Sequence, residues 1–550
     1  MHSSYTFTTG SAVFDEQNLL SAAGLVPVLE LAEQTGLSEL INERVDLPST
    51  RVKSGAVNPA GKLTSIVAGM MCGADSIDDA NVLRAGGTPR VFNEVYAPST
   101  LGIFLREFTF GHTKQLAAVA REHLIALAAR TPLLAGADER MFLDIDSLLR
   151  PVYGHAKQGA SFGHAKIASR ALLRLGLSPQ ITTISTATAA PVIAEAQLRS
   201  GKAASGRGAA YQLKQAITTA KAINPDAPIL VRGDSMFGTK KVITTCIQRG
   251  AEFSLSISRN KRINAAIAAI DEAAWTPVHY PGAVEDPDTG ALISDAQVAE
   301  TPYTLRLARG RTLTVRLVVR RVKDARHLDA LFPVWRYHPF VTNSALPVDQ
   351  ADITHRRHAI IETTFADLID GPLAHIPSGL FAANCAWLAC AVIAHNLLRA
   401  VGTLAGGHHA VAAGYPAPRP DQHPGPLRRP ARKPMLHLPA HWHWRARWKA
   451  LWHNVIGYPI AQPAPPDPTF QALSARHPRP DPRNQRKAGT GQRITHAPPR
   501  HTRPHPKTTA STATRNHPST DSGLDSADTR RSCAASVENL GLDAPTGGLR

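Results

Sequence analysis

The chain is poor in cysteine. Cys72, Cys246, Cys385, Cys390 and Cys533 are the only five in 550 residues, and no two form a C-x-x-C pair. That argues against a zinc site and against a disulfide framework, and it fits a reducing cytoplasm. The opening stretch MHSSYTFTTGSAVFDEQN has no basic segment followed by an apolar one, so no secretory leader is expected. An unbroken apolar run of membrane length is also missing. The nearest, GLFAANCAWLACAVIAHNLL at 379–398, is interrupted by Asn384, His395 and Asn396 and reads as a buried core helix. Acidic residues are scarce too, with 43 Asp and Glu against 61 Lys and Arg, a net charge of +18. Residues 401–550 hold 21 basic and 8 acidic side chains, so the tail is far more basic than the body. Such an excess favours a polyanionic partner, nucleic acid first.

What is present suffices for two or three domains with real cores. Residues 1–135 read as helical. Within them LELAEQTGLSELI (29–41) has the pattern of a helix-turn-helix, with Gly36 in the turn and a second helix opening at Ser38. From about 140 the pattern turns to strands: MFLDID, ALLRLGL and QITTISTATA. A helix over 206–223 follows, then the strand APILVRGD, a helix over KKVITTCIQRG, and the strand AEFSLSIS. This order predicts an α/β fold with a mixed sheet over 136–274. Residues 275–345 add strand candidates that read as a β-rich insertion, and 346–405 turn helical again. Residues 406–458 form a basic C-terminal segment, within which 407–433 is Pro-rich. Residues 459–550, rich in Pro, Arg, His, Thr and Ser, read as a disordered basic tail.

Three acidic positions sit among apolar neighbours. In FLDIDSLL, Asp144 and Asp146 share one face of a strand. Asp234 follows the strand ILVRG, where functional groups of α/β sheets collect. Glu362 lies in a helical segment with Ile361, Phe365 and Leu368 on one side. Three converging carboxylates repel one another unless a cation lies between them, and a hard, oxygen-seeking divalent ion resolves the repulsion. Pairing of each acid with Arg150, Arg232 or Arg356 is the alternative. The order Asp, Asp, Glu on strand, strand and helix is that of an RNase H-like nuclease core.

At these residues the chain resembles a DDE-type transposase of a bacterial insertion sequence, in the thirteen-eighty group. NPAGKLTSIVAGM, GADSIDDANVLRAGGTPRVF, APSTLGIFLREFTFGH, ILVRGDS, HRRHAIIETTFADLIDGPLAH and CAVIAHNLLRA carry the resemblance, which spans about 15–405 and returns at 432–457. It implies that Asp146, Asp234 and Glu362 are the catalytic, metal-binding triad, Asp146 being preferred to Asp144 because Ser147 follows it. The ion expected is Mg²⁺, with Mn²⁺ able to substitute. The broader superfamily has Tyr and Arg where this chain has His355 and His358, and Lys where it has Ile369. Lys157, Lys166, Lys202, Arg207, Arg232, Arg356 and Arg357 are candidate contacts to DNA phosphate. Trp275 is a candidate for stacking on a flipped base, and equally a core residue.

The expected activity is DNA cleavage and strand transfer at insertion-sequence ends. The expected partners are double-stranded DNA, as inverted repeats and target, and a second copy of the chain as a homodimer on DNA. No membrane association is expected, and the location would be the bacterial cytoplasm at the nucleoid. An RNase H-like nuclease without strand transfer and an inactive DNA-binding remnant are the alternatives.

Overall fold

A computed structural model describes residues 17–457 except 21, 48–54, 154–156, 168–169, 279–295, 308–309, 324–330, 333, 407–424, 429–434, 437 and 439–444. The chain enters through a two-residue strand, β1 (Leu19–Leu20), and a helical layer: α1 (Leu25–Gln34), α2 (Leu37–Arg44), α3 (Pro59–Met71), α4 (Pro98–Arg106) and α5 (Phe110–Arg130). α1 and α2 are joined through Gly36 at φ 74°, a left-handed conformation that glycine adopts without a Cβ clash. The expected helix-turn-helix is therefore present as two helices and a turn. The exposed face of α2 nevertheless carries Glu39 and Glu43, and Arg44 pairs with Glu122 at 3.0 Å.

The central sheet holds β2 (Met141–Ser147), β3 (Arg150–Pro151), β4 (Ser161–Ile167), β5 (Arg170–Ser185) and β6 (Val192–Ser200). After α6 (Ala209–Ile223) come β7 (Ile229–Gly233), α7 (Lys240–Gln248) and β8 (Glu252–Ser256). The spatial order β6-β5-β2-β7-β8, with β5 antiparallel to its neighbours and β2, β7 and β8 parallel, is the RNase H-like arrangement. ALLRLGL and QITTISTATA, read from sequence as two strands, are one sixteen-residue strand, β5. β4 and β6 escaped the sequence reading. β6 (VIAEAQLRS) is short of β-branched residues and holds a Glu that is 4% exposed. That residue, Glu195, accepts from Arg121 of α5 at 2.6 Å, which ties the helical layer to the sheet.

The segment between β8 and the last helices supplies α8 (Lys261–Ala268), β9 (Thr276–Val278), β10 (Ala296–Arg306), β11 (Thr312–Lys323) and β12 (Trp335–Thr342). β12 pairs antiparallel with β8, so these strands extend the central sheet to eleven. α9 (Val348–Arg356), a 3-10 turn (Arg357–Ile360) and α10 (Ile361–Ile369) follow, where the sequence pattern suggested one helix. α11 (Phe381–Leu404) packs on α5 and β6. Asn396 accepts from Ile193 N at 2.8 Å and donates to Ile193 O at 2.9 Å, satisfying backbone on the outer edge of β6. α11 is long and apolar enough to cross a bilayer, and 78% of its most apolar window is buried in this fold. β13 (Gly425–Arg428), β14 (Met435–Leu436) and α12 (Arg445–Ile456) complete the described chain, with β13 pairing on β1 and α12 packing on α1 and α11. Most of 407–444 and all of 459–550 lie outside the described residues.

Candidate active site

β2 and β7 run parallel with Ile145 opposite Gly233. The next residue on each is an aspartate, so Asp146 and Asp234 stand side by side at the carboxyl ends of neighbouring strands. Adjacent strands are about 4.8 Å apart. Asp234 Oδ1 accepts from Met236 N at 2.9 Å, and Asp146 Oδ1 from Ser147 N at 2.6 Å. Both side chains are partly exposed. The loop after Asp234 lies close on the end of β8, because a Cβ at Gly238 would collide with the Ser256 carbonyl.

Asp144, two residues earlier on the same face, has a different environment. It is fully buried, and Arg232 stands directly across from it on β7. Arg232 Nε and Nη2 donate to Asp144 Oδ1 and Oδ2, each at 2.7 Å. The remaining Nη1 donates to Thr354 O of α9 at 2.9 Å, and the guanidinium lies 4.4 Å from the centroid of Phe142. Burial pushes the Asp144 carboxyl up, against the opposing pull of Arg232 and then His358. The proposal that Arg232 contacts DNA is corrected here. The side chain is 2% exposed and its fork is occupied, so phosphate cannot reach it.

The same network positions the Glu362 segment. His355 bonds Ser254 Oγ through Nδ1 and Ser256 Oγ through Nε2, both at 2.9 Å. Its ring stacks on Phe340 with centroids 4.1 Å apart. Burial first, and then the nearby His358 and Arg232, hold its pKa well below the ordinary value. His355 thus anchors α9 to β8 and β12 as a neutral group. Glu362 is exposed in the first turn of α10, which packs on β2 and buries Ile361, Phe365 and Leu368. Among the described residues, no three His, Cys, Asp or Glu side chains converge closely enough to hold a metal. The strand register sets Asp146 and Asp234 beside each other, and among the described residues no third such side chain completes a three-ligand group with them. Two adjacent carboxylates form an all-oxygen donor pair suited to a hard divalent ion.

The chain matches the family model described as Transposase DDE domain group 1 over residues 11–413. It belongs to the DDE transposases. No curated protein matches the chain. DDE transposases carry out nucleotidyl transfer on DNA and generally use divalent metal ions.

The remaining expected DNA contacts of this transposase are spread over several elements. Arg207 and Lys202 are exposed in the loop after β6. That loop reaches the acid pair, since Ser205 Oγ lies 3.0 Å from Ser147 Oγ. Arg357 is exposed, and Arg356 is partly buried near Asp352. Lys157 donates to Ile376 O, and partial burial lowers its pKa. Lys166 lies on β4 opposite Ala171, and its side chain is outside the described set. Trp275 is 9% exposed, tilted against Tyr337 at 6.1 Å and covered by Arg321 at 4.3 Å. It is a core residue in this conformation.

Sequence reasoning missed Arg199. This residue is 6% exposed, and its Nη1 donates to the carbonyls of Ala204, Ser205 and Arg207 at 3.1, 3.0 and 3.0 Å. It fastens the loop that bears Arg207. Burial, and then the neighbouring Arg207, bring its pKa to about 10 against the opposing pull of Asp146. A lone Arg in an Ala-rich strand offers no periodic or motif signal that would have exposed this role.

Proposed function

We propose that this chain cleaves the ends of an insertion sequence of the thirteen-eighty group and joins them to target DNA by cut-and-paste transposition. Asp146, Asp234 and Glu362 would hold Mg²⁺, with Mn²⁺ able to replace it, and the chain would act as a homodimer on inverted repeats in the bacterial cytoplasm. The observation that carries this reading is the adjacency of Asp146 and Asp234 in matched register. Asp144 is spoken for by Arg232, which favours Asp146 as the first ligand.

The bound cation would polarise the attacking oxygen and neutralise charge on the leaving one. The chain's own groups do the rest. Asp146 and Asp234 present fixed oxygens because hydrogen-bonded strands set their backbones. The Asp144–Arg232 pair and His355 hold α9, and through it the segment bearing Glu362, against β2, β7 and β8. The exposed Arg207, Lys202 and Arg357 hold backbone phosphates. Residues 1–135 would add contacts to the transposon end.

A labelled inverted-repeat end incubated with Mg²⁺ and a second duplex tests this reading. Nicked ends and joined products are expected, both lost in Asp234→Ala. Nicking without joining would mean a nuclease. Binding without nicking in Mg²⁺ or Mn²⁺ would mean an inactive DNA-binding remnant.

A further inference from the structure

The loop between β6 and α6, residues 201–208, reads GKAASGRG. It has no large apolar side chain, so burial cannot fix its shape, and the freedom of its glycines opposes order. It nevertheless lies against both acid-bearing strand ends. Ser205 Oγ is 3.0 Å from the Oγ of Ser147, the neighbour of Asp146. On the other side, a Cβ at Gly206 would come 3.0 Å from the carbonyl oxygen of Met236 and 3.4 Å from the Thr239 methyl group. Met236 is the residue whose amide donates to Asp234. The loop thus bridges the end of β2 and the turn after β7, within two residues of each aspartate.

Arg199 gives this loop its shape. It stands opposite Ser178 of β5, and Gln180, two residues along β5, stands opposite Ser147 of β2. Residues directly opposite, or two apart on one strand, share a sheet face. Arg199 and Ser147 therefore emerge on one face and Asp146 on the other. Nη2 of Arg199 donates to Ser178 Oγ at 2.9 Å and Nε to Ser178 O at 3.4 Å, which fixes the fork to β5. Nη1 is then left to gather the carbonyls of Ala204, Ser205 and Arg207. Gln180 adds a bond from Nε2 to Ser205 O at 2.5 Å. Every one of these acceptors is neutral. A buried cation with no hydrogen-bonded carboxylate is a costly clamp, and the amide of Gln180 shows that a clamp for the fold alone needs no charge. The opposing charge acting on Arg199 is that of Asp146.

We propose that Arg199 is a positioning residue for nucleotidyl transfer: by closing the 201–208 loop against both strand ends, it sets the spacing of the Asp146 and Asp234 carboxylates that receive the cation. The inference rests on the reading of that acid pair as the metal site.

The test uses the full chain. Mn²⁺ binding is measured by calorimetry without DNA for the parent, Arg199→Lys and Gly206→Ala. Lysine keeps the charge, but its three donors cannot serve the three loop carbonyls and Ser178 together. Gly206→Ala leaves Arg199 intact and pushes the loop off the Met236 carbonyl. Each should weaken Mn²⁺ binding by about tenfold, as when groups that orient metal ligands are removed. The two together should be little worse than either, because they act on one loop. Cleavage at subsaturating Mg²⁺ should fall with the metal affinity, while affinity for a labelled inverted-repeat end in EDTA changes far less. Parent-like Mn²⁺ affinity in both variants overturns the assignment. Should Arg199→Lys fail to fold, Gly206→Ala decides alone. A parent chain whose Mn²⁺ binding is unchanged in Asp234→Ala overturns the acid pair as the metal site, and this inference with it.

Discussion

Asp144→Asn and Asp146→Asn separate two carboxylates that are one residue apart in FLDID and point the same way. In Asp144→Asn the guanidinium of Arg232 stays buried and charged, with only the neutral Asn oxygen, the Thr354 carbonyl and the Phe142 ring to meet it. Breaking a buried pair from one side costs about 3–5 kcal/mol, because the remaining charge cannot be hydrated. Asp146 is partly exposed and sits beside Asp234, so neutralising it removes a repulsion and should change stability by less than about 1 kcal/mol. Urea denaturation reads both effects as a shift in midpoint at constant slope. Cleavage of a labelled end, assayed where both variants are folded, supplies the second axis. Asp144→Asn should be unstable and still cleave; Asp146→Asn should be stable and inactive. A double Asp144→Leu, Arg232→Met variant should recover most of the lost stability, since an apolar pair of similar size has no charge to strand. If Asp146→Asn unfolds the chain while Asp144→Asn melts normally and is inactive, the assignment of roles is wrong.

Glu362→Gln, at an exposed position, should leave the urea midpoint within about 0.5 kcal/mol of the parent and abolish cleavage; retained cleavage would remove Glu362 from the site. Burial lowers His123 and His395 to about 3 from an ordinary 6.5, so the unfolded chain takes up protons that the folded chain refuses. Their contribution is full above pH 6.5 and declines as pH falls, by about 2 kcal/mol each at pH 5. Urea midpoints at the two pH values should show this loss, and His123→Gln should remove its share. Asn396→Ala strips both backbone partners from Ile193 and should cost about 2–4 kcal/mol, with faster hydrogen exchange at the Ile193 amide.

The parallel strands and their terminal acids were legible because apolar runs ending in Asp are an explicit signal, as in ILVRGD. The partners of those acids were not. Arg232 reads like any basic residue near a site, and only strand register reveals that it faces Asp144. β6 was hidden by its Ala, Glu and Gln content. Its Glu195 is tolerable in a strand only because Arg121 arrives from a distant helix. The break between α9 and α10 was invisible for a related reason. HRRHAIIETTF carries no Pro or Gly, so the local chemistry permits a continuous helix.

The central claim is that Asp146 and Asp234 together hold a divalent cation at the ends of β2 and β7. Fe²⁺ put in place of Mg²⁺, with ascorbate and peroxide, cuts a polypeptide beside its own binding site. The account predicts cuts clustered near residues 146 and 234 that excess Mg²⁺ suppresses and Asp146→Ala or Asp234→Ala removes. Cuts that fall elsewhere, or that persist in both variants, would contradict it.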